Sequence, residues 1–324
     1  MTRTFLISGG AGFIGSALAA DLAAQGDRVR ILDDLSMGSL AYLRGVDHEL
    51  FQLRIDDGDR LAGALDGVTG VVHLAARAGI PDSITDPIGT FQANVRDTVH
   101  LLEAARHAGV ERFVFASSNA VLGEATPPFD ETLTPAPTSP YGASKLAGEA
   151  YVNAYSATYG LVGCSLRFSN VYGPRSLHKK SVVAAWLTSA LAGGPITIFG
   201  DGRQTRDFVY VEDLVAGIRA ALDAPRDAAA GQVFQIGTGR ETPVSELAQV
   251  VRDAAGGGEV RYAPRRAGDP ERNYARVTKA RDRLGFSAPT SLADGIAATV
   301  AWFRSALADP ALADIRPLAT SGSD

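Results

Sequence analysis

Phe5-Leu6-Ile7-Ser8-Gly9-Gly10-Ala11-Gly12-Phe13-Ile14-Gly15 is the segment that decides the fold of this chain. Its first three residues form a short apolar run, which predicts a buried strand of a parallel sheet. After the glycines, apolar residues recur at helical spacing, at Ile14, Leu18 and Leu22. A strand, a glycine turn and a helix in succession are the context in which a glycine motif becomes a phosphate site.

The three spaced glycines have separate roles in this turn. Gly9 permits the tight turn, Gly12 lets the backbone approach a pyrophosphate, and Gly15 allows the helix to pack closely. The helix, which begins near Phe13 and Ile14, would meet the phosphates with free N–H groups and the positive end of its dipole. The spacing is G-x-x-G-x-x-G, so the structural context supports the prediction more than the glycine count does.

An acidic pair follows the second predicted strand, residues 29–32. Asp33 and Asp34 lie roughly 20 residues beyond the glycines, where a ribose-binding carboxylate is expected. Such a carboxylate accepts a hydrogen bond from the adenosine 2′-hydroxyl and repels a 2′-phosphate. No Arg follows immediately, so the pattern favours NAD over NADP. Either Asp56 or Asp57, after the third strand, is a candidate for contact with adenine.

Residues 71–76 form a further apolar run, which predicts a fourth buried strand. It ends in small residues, and we expect the backbone of Leu74, Ala75 and Ala76 to lie against the cofactor. His73 lies inside this run and has two interpretations, a general base or a hydrogen-bonded core residue. A single His in an apolar strand favours the second.

The next elements alternate in the same way. A helix is predicted over residues 94–107 and a strand over 112–116, followed by Ser117 and Ser118. Alternating strands and helices predict a doubly wound parallel α/β sheet, and the length of the chain predicts a division into two lobes. Ligands of such sheets bind at the carboxyl ends of the strands, so the Ser118 hydroxyl is placed to bond a substrate oxygen.

A Tyr and a Lys share one face of the helix predicted after residue 139. Ser139 is suited to the N-cap and Pro140 to the first helical position. Tyr141 and Lys145 are four residues apart, so we expect the ammonium to lower the pKa of the phenol from its usual value of about 10. This pair is suited to removing a proton from an alcohol and returning it.

Composition narrows the class of protein. The chain has 324 residues, of which 46% are hydrophobic and 21% charged, as in an ordinary globular enzyme. A net charge of −5 argues against general nucleic-acid binding. Cys164 is the single cysteine, so neither an internal disulfide nor a cysteine metal site is expected. We expect no metal, no membrane span and no signal peptide, and a cytoplasmic location.

Motifs spread over nearly the whole chain carry a family resemblance. They lie at residues 8–15, 73–76, 94, 117–118, 141–145, 167–174, 199–202, 206–208 and 265–269. Through them the chain resembles the extended short-chain dehydrogenases/reductases, and among these the nucleotide-sugar 4-epimerases of the UDP-glucose and UDP-glucuronate 4-epimerase types. The resemblance implies inversion of C4 of a UDP-hexose through a transient 4-keto sugar, with tightly held NAD.

The resemblance also implies roles for single residues. Ser118, Tyr141 and Lys145 match the catalytic triad, and Asn94 matches a cofactor contact. The resemblance also implies that Tyr141 and Lys145 contact the cofactor, with Lys145 bonding to the nicotinamide ribose. The substrate contacts that it implies are Asn170, Arg206 and Arg266 at the diphosphate, and Asp269 at the uridine ribose. Planar, permanently charged arginines suit a diphosphate.

The resemblance also implies an interleaved division into an NAD-binding lobe and a smaller α/β substrate-binding lobe. The NAD-binding lobe would comprise residues 1–173, with 206–237 returning to it. Residues 174–205 and 238–315 would bind the sugar nucleotide, and 316–324 would be a loose tail. The family likeness suggests a homodimer formed through the helices near residues 94–107 and 141–155.

Which sugar is bound is left open by the sequence. A cation for a C6 carboxylate could come from Arg77, which we list as a substrate contact, or from Arg175, His178 or Lys179. Asn273, near the position that limits the sugar pocket in the family, is neither the smallest residue nor an aromatic block.

Other activities on the same fold are the alternatives to epimerisation. Asn119-Ala120, directly after Ser118, offers no carboxylate where related dehydratases place acidic residues, and this argues against dehydration. A decarboxylase, a reductase and a catalytically silent NAD-binding sensor complete the alternatives.

Overall fold

The structure is a computed structural model that describes residues 2–266 and 270–315. In these residues the strands are β1 (Thr4–Ser8), β2 (Arg28–Asp33), β3 (Glu49–Gln52), β4 (Gly70–His73), β5 (Arg112–Ser118), β6 (Val162–Phe168), β7 (Asn170–Tyr172), β8 (Ile196–Phe199), β9 (Thr205–Arg206), β10 (Phe208–Tyr210), β11 (Gln232–Ile236), β12 (Thr242–Pro243), β13 (Val260–Ala263) and β14 (Arg272–Asn273). The helices are α1 (Phe13–Ala24), α2 (Gly58–Leu65), α3 (Ile80–Thr85), α4 (Pro87–Phe91), α5 (Asp97–His107), α6 (Pro140–Tyr159), α7 (Val182–Leu191), α8 (Val211–Asp223), α9 (Arg226–Ala229), α10 (Val244–Ala255), α11 (Thr278–Leu284) and α12 (Leu292–Ala308). Short 3₁₀ segments lie at Leu40–Leu43, Asn119–Leu122 and Pro310–Ile315, and a π-helical segment, Gln92–Arg96, joins α4 to α5.

A parallel sheet of seven strands forms the centre, in the order β11-β6-β5-β4-β1-β2-β3. The chain builds it outward from β1 through β2 and β3, then returns to place β4 on the other side of β1. The strand order therefore reverses between β1 and β4. Ligands of open α/β sheets bind at this reversal, outside the carboxyl ends of the strands. The prediction of a doubly wound parallel sheet is confirmed.

Helices cover both faces of the sheet, which explains why the three central residues of β1 are all apolar. Its residues Phe5, Leu6 and Ile7 are fully buried. Phe5 and Ile7 belong to a cluster that continues into α1 and α8, whereas Leu6 belongs to one that continues into α2 and α5. Successive residues of a strand point to opposite faces, so one apolar run supplies both layers of the core.

Smaller sheets form the remainder. β9 pairs with β12 and β14, β8 with β13, and β7 with β10. The fully buried Asp207, between β9 and β10, joins several of these segments. Its carboxylate accepts hydrogen bonds from the Thr238 amide (2.8 Å), the Thr238 hydroxyl (2.6 Å), the Gly239 amide (3.1 Å) and the Ala275 amide (3.4 Å). Burial nevertheless raises the pKa of Asp207.

Two predicted elements differ in extent. The strand expected over residues 71–76 ends at His73, because the Ala75 amide leaves the strand ladder and points to the Ser8 hydroxyl (3.4 Å). The helix expected over 94–107 is α-helical only from Asp97, since the π-helical segment precedes it. Both differences arise where side chains compete with regular backbone pairing.

The boundaries of the two lobes stay a prediction. β11 does return to the central sheet, beside β6, and α8 packs against α1. The tail expected at residues 316–324 lies outside the described part of the chain, and so does Asp269.

Membrane-spanning helices and metal sites have requirements that the described residues do not meet. In 2–266 and 270–315 no helix is long and apolar enough to cross a membrane. The same residues contain no group of His, Cys, Asp or Glu side chains placed to hold a metal ion. Cys164 is buried in β6, and burial raises the pKa of its thiol to about 12.

A buried ion pair fastens α6 to the sheet. Arg167 in β6 donates from Nε and from a terminal nitrogen to the two carboxylate oxygens of Glu149, each at 2.8 Å. The Ser117 hydroxyl donates to the same carboxylate at 2.5 Å. Because both charged side chains are almost completely buried, neither can exchange its partner for water.

Arg167→Met should therefore destabilise the fold strongly, since it leaves the Glu149 carboxylate buried without its cation. We expect a loss of about 3–5 kcal/mol in the free energy of unfolding, measured by urea denaturation. The control is Arg261→Met, which removes the partner of the exposed Glu259 and should change stability too little to resolve. Equal effects of the two substitutions would contradict this assignment.

Candidate active site

The glycine turn connects β1 to α1 by close contacts between backbones. Gly9 has a positive φ of 70°, and a Cβ there would lie 2.7 Å from the Ala75 nitrogen. A Cβ on Gly15 would lie 2.2 Å from the Gly9 carbonyl oxygen. Gly12 is the N-cap of α1 and has no side-chain cap, so the first N–H groups of the helix point into the turn. In this cradle, formed by the turn and the uncapped start of α1, side chains have no space at Gly9 and Gly15, and free N–H groups of this kind bind phosphate.

Asp33 stands beside this cradle at the end of β2. Its carboxylate accepts hydrogen bonds from the amides of Ala11 and Leu35, both at 2.9 Å. Burial raises its pKa, and these two amides counteract the rise. Asp34 is exposed and binds the amide and the hydroxyl of Ser36. Asp33 thus holds the turn, and its remaining lone pairs can accept from a ribose hydroxyl.

The acidic residues after β3 pair with arginines. Asp56 lies 3.0 Å from Arg54 and 3.0 Å from Arg96, and Asp57 lies 3.2 Å from Arg60. Neither pairing distinguishes the two as contacts to adenine.

The loop after β2 also belongs to the site, although the sequence analysis did not include it. The Ser39 amide donates to the Ala11 carbonyl at 2.9 Å, and a Cβ on Gly38 would lie 2.9 Å from Ala11. Leu35 adopts a positive φ of 59°, a conformation that bulky residues rarely take outside constrained sites. The Gly-Ser pair after the acidic residues was the available signal for a turn here.

At the end of β4, His73 is buried with both ring nitrogens hydrogen-bonded, as its interpretation as a core residue requires. Asn94, in the π-helical segment, is buried too. Its side chain accepts from the Arg77 amide (2.8 Å) and donates to the Arg77 carbonyl (3.0 Å) and to Ser144 (3.0 Å). Its predicted contact with the cofactor stays a prediction, as do those of Leu74, Ala75 and Ala76.

The start of α6 is built as the sequence predicts. Ser139 is the N-cap, and its hydroxyl accepts from the Gly142 amide at 3.1 Å, with Pro140 at the first helical position. Tyr141 and Lys145 follow on one face. The Lys145 ammonium donates to the Ala116 carbonyl at 2.9 Å and lies 6.0 Å from the centroid of the Tyr141 ring.

The electrostatics of this pair differ from the expectation. Burial raises the pKa of the Tyr141 phenol above 10, and a hydrogen bond with the Ser118 side chain offsets part of the rise. Burial also lowers the pKa of Lys145 to about 8. The expectation that Lys145 lowers the pKa of Tyr141 is therefore wrong for the protein by itself, because desolvation of the phenol outweighs it.

The predicted substrate contacts lie on separate elements. Asn170 begins β7 and is exposed, and Arg206 lies in β9, beside Asn273 of β14 in register. The Arg266 guanidinium lies 3.7 Å from the centroid of the Phe199 ring, a cation–π contact. Asp269 cannot be placed.

The basic residues proposed for a C6 carboxylate differ in their partners. Arg77 forms an ion pair with Asp86, so its charge is already engaged. His178 lies 3.1 Å from the Tyr42 hydroxyl, and burial lowers the pKa of its imidazole to about 4. Burial also lowers the pKa of Lys179.

Dinucleotide-binding and acid–base groups meet at one edge of a doubly wound sheet, and this arrangement is that of the short-chain dehydrogenases. A model of the NAD dependent epimerase/dehydratase family matches residues 5–237, and the chain belongs to that family. The prediction of NAD as the cofactor is thereby confirmed. The side-chain-free turn and the uncapped start of α1 at Gly12 are the features that suit the pyrophosphate of this cofactor.

Known relatives are similar over almost their entire lengths. The chain is 41% identical over 310 residues to the UDP-glucose 4-epimerase of Mycolicibacterium smegmatis, covering 92% of this chain and 98% of that protein. The UDP-glucose 4-epimerase of Thermotoga maritima, solved with UDP-glucose, is 35% identical with a TM-score of 0.88, covering 94% and 100%. The UDP-glucuronic acid 4-epimerase of Bacillus cereus, solved with UDP-glucuronic acid and NAD, is 29% identical with a TM-score of 0.85, covering 94% and 99%.

Gly15→Ala should weaken NAD binding by tenfold or more, about 1.4 kcal/mol, because the added methyl group meets backbone atoms that form the cradle. Isothermal titration with NAD measures this change. The matched control is Gly63→Ala, also within a helix, where a Cβ has open space. Unchanged affinity in Gly15→Ala would show that the cofactor does not use this turn.

Proposed function

We propose that this protein is an NAD-dependent UDP-sugar 4-epimerase, which inverts C4 of a UDP-hexose through a transient 4-keto sugar. The observation that carries the proposal is the Tyr141–Lys145 pair at the start of α6, in which Lys145 is buried and the half-buried Tyr141 is hydrogen-bonded to Ser118. The epimerases that resemble the chain support it. The reaction needs no external oxidant, since the hydride taken from C4 is returned to C4.

The proposed reaction first requires a bound NAD, and the cradle is proposed to bind it. The uncapped N-terminus of α1 faces the pyrophosphate, and Asp33 accepts from the adenosine ribose. NAD, when bound, accepts the hydride from C4 of the sugar and gives it back, and its oxidised ring is cationic. A positive charge near Tyr141 would favour its phenolate form, which desolvation disfavours.

Tyr141 is the acid–base group in this proposal. As phenolate it removes the proton of the C4 hydroxyl while the hydride leaves C4, and it returns the proton after the sugar has turned. Lys145, with a pKa of about 8, is protonated at neutral pH and stabilises the phenolate. The Ser118 hydroxyl bonds to Tyr141 and can bridge it to the sugar oxygen.

Binding energy has to lie on the UDP moiety, because the sugar must present both faces to the cofactor. Arg206, Arg266 and Asn170 are proposed to hold the diphosphate and Asp269 the uridine ribose. Arg77 is proposed to line the sugar side through its backbone, which Asn94 holds at both the amide and the carbonyl.

Dehydration is disfavoured by the residues after Ser118. Ala120 has no acidic group, and the buried Asn119 donates to Ser169 at 3.4 Å. No carboxylate stands there to eliminate water from a 4-keto sugar. Relatives that bind UDP-glucose and UDP-glucuronic acid both support the epimerase, so the sugar is a matter for direct measurement.

Purified protein should convert UDP-glucose or UDP-glucuronate to its C4 epimer without net formation of NADH, as seen by chromatography and by absorbance at 340 nm. Tyr141→Phe should lower turnover by about 10²–10⁴-fold while NAD stays bound. Tyr151→Phe, an exposed tyrosine on the same helix, is the control and should leave turnover unchanged. Release of a decarboxylated, dehydrated or reduced sugar would replace the proposal with the corresponding activity.

We also infer a homodimer and a cytoplasmic location. Large apolar side chains are exposed on α3 and α4, including Ile84 (64%), Ile88 (67%) and Phe91 (55%). Both helices pack against α6, which exposes Tyr151 and Tyr159. An apolar region of this kind is typical of an interface, and a second copy presents the same region. The cytoplasm suits a chain with a single cysteine.

Ile88→Asp should convert the dimer to a monomer, because it places a charge in the apolar interface. Size-exclusion chromatography with light scattering measures the mass. Tyr262→Asp, at an equally exposed residue of β13, is the control and should remain dimeric. A monomeric wild-type protein, or an Ile88→Asp variant that stays dimeric, would contradict the inferred interface.

A further inference from the structure

His73 is a buried titratable residue to which the proposed reaction gives no role. It is the last residue of β4 and is 1% exposed. Its ring centroid lies 6.1 Å and 5.8 Å from those of Phe113 and Phe115. Nδ1 lies 2.6 Å from the Ser8 hydroxyl and Nε2 lies 2.8 Å from the Thr98 hydroxyl. Both ring nitrogens are therefore engaged by side chains of other elements.

The surrounding hydrogen bonds determine which nitrogen carries the proton. The Thr98 hydroxyl donates its only proton to the Asn94 carbonyl at 2.7 Å. It must therefore accept from His73, which places the imidazole proton on Nε2. Nδ1 then accepts a hydrogen bond from the Ser8 hydroxyl. Ser8 in turn accepts from the Ala75 amide at 3.4 Å.

The two hydrogen bonds of the His73 ring connect different parts of the fold. Ser8 ends β1 directly before the glycine turn, Ala75 follows β4, and Asn94 lies in the π-helical segment. Burial and the nearby Lys145 charge lower the pKa of His73 to about 3, so the ring is neutral in the working range. The groups that face it are hydroxyls, two phenyl rings and this ammonium; no carboxylate among the described residues contacts it.

From Asn94 the connection continues to the catalytic helix. The Asn94 amide donates to the Ser144 hydroxyl at 3.0 Å, and Ser144 donates to the Tyr141 carbonyl at 2.7 Å. The chain of bonds thus begins at the backbone that faces the cofactor and ends at the residue proposed to move the proton. His73 joins the Ser8 side of this series to its Thr98 side.

We propose that His73 is a positioning residue for the epimerisation: a neutral, Nε2-protonated imidazole that sets the cofactor turn in register with Tyr141. The proposal rests on the proposed function for its kinetic part. Proton and hydride transfer occur at the same sugar carbon and its oxygen, so the distance between turn and phenol has to suit both. A ring that accepts on one side and donates on the other maintains it.

The first test is spectroscopic and does not depend on activity. The ¹⁵N spectrum of histidine-labelled holoenzyme should show His73 as the neutral Nε2–H tautomer at every pH from about 5.5 to 8.5, assigned by its absence in His73→Phe or His73→Gln. A His73 resonance that titrates in this range, or one that reports the Nδ1–H tautomer, would overturn the proposal whether or not the enzyme epimerises UDP-sugars.

The second test separates positioning from a merely structural role. His73→Phe should lower kcat at least tenfold with KM for the UDP-sugar changed less than twofold, because the proposed diphosphate contacts lie on other elements. His73→Gln, which keeps an amide donor within reach of Thr98, should recover part of kcat. His100→Phe, an exposed histidine of α5, is the control and should match the wild type.

The outcomes are distinguishable from failure of the proposed function. An inactive wild-type protein with the predicted tautomer refutes the epimerase, whereas an active wild type with unchanged kcat in folded, NAD-loaded His73→Gln and His73→Phe refutes positioning. If His73→Phe fails to fold, a kcat for His73→Gln equal to that of the wild type refutes it equally, and a lowered kcat with unchanged KM supports it.

Discussion

The fold depends on backbones that touch without side chains between them. Where β1 turns into α1, the Gly15 position lies so close to the Gly9 carbonyl that a single methyl group has no space. Gly9 in turn lies against the Ala75 backbone, so the turn also sets the distance between β1 and β4. These are the two strands between which the sheet order reverses. The same backbone contacts therefore shape both the glycine turn and the crevice where the strand order reverses.

Side-chain contacts, rather than backbone contacts, hold the glycine turn and α6 in place around the candidate active site. The carboxylate of Asp33 holds the turn from the outside, and the Ser8–His73–Thr98 contacts hold it from within the sheet. The Glu149–Arg167 pair fixes the opposite end of the arrangement, where α6 meets β6. Burial makes each of these contacts costly to break, because water cannot readily replace a partner that is lost.

Local features of the site could be predicted from the sequence, and long-range ones could not. The glycine turn and the Ser139-Pro140 helix start are encoded in neighbouring residues, and the structure has both. The partners of His73 and Glu149 depend on the register of strands and helices far apart in the chain, which no local pattern reveals. The shift in the pKa of Tyr141 was predicted with the wrong sign, because charge can be read from sequence but burial cannot.

The helix α6 is one unbroken element of twenty residues, about 30 Å long. Its first turn carries Tyr141, the residue proposed to move the substrate proton, and its second half exposes Tyr151 and Tyr159, the tyrosines of the inferred interface. A stiff rod of this length acts as a lever: a tilt of a few degrees at one end moves the other end by an ångström or more. The geometry of the proposed proton transfer and that of the inferred interface are therefore coupled through a single rigid element, and a change at one end of α6 has to preserve the position of the other.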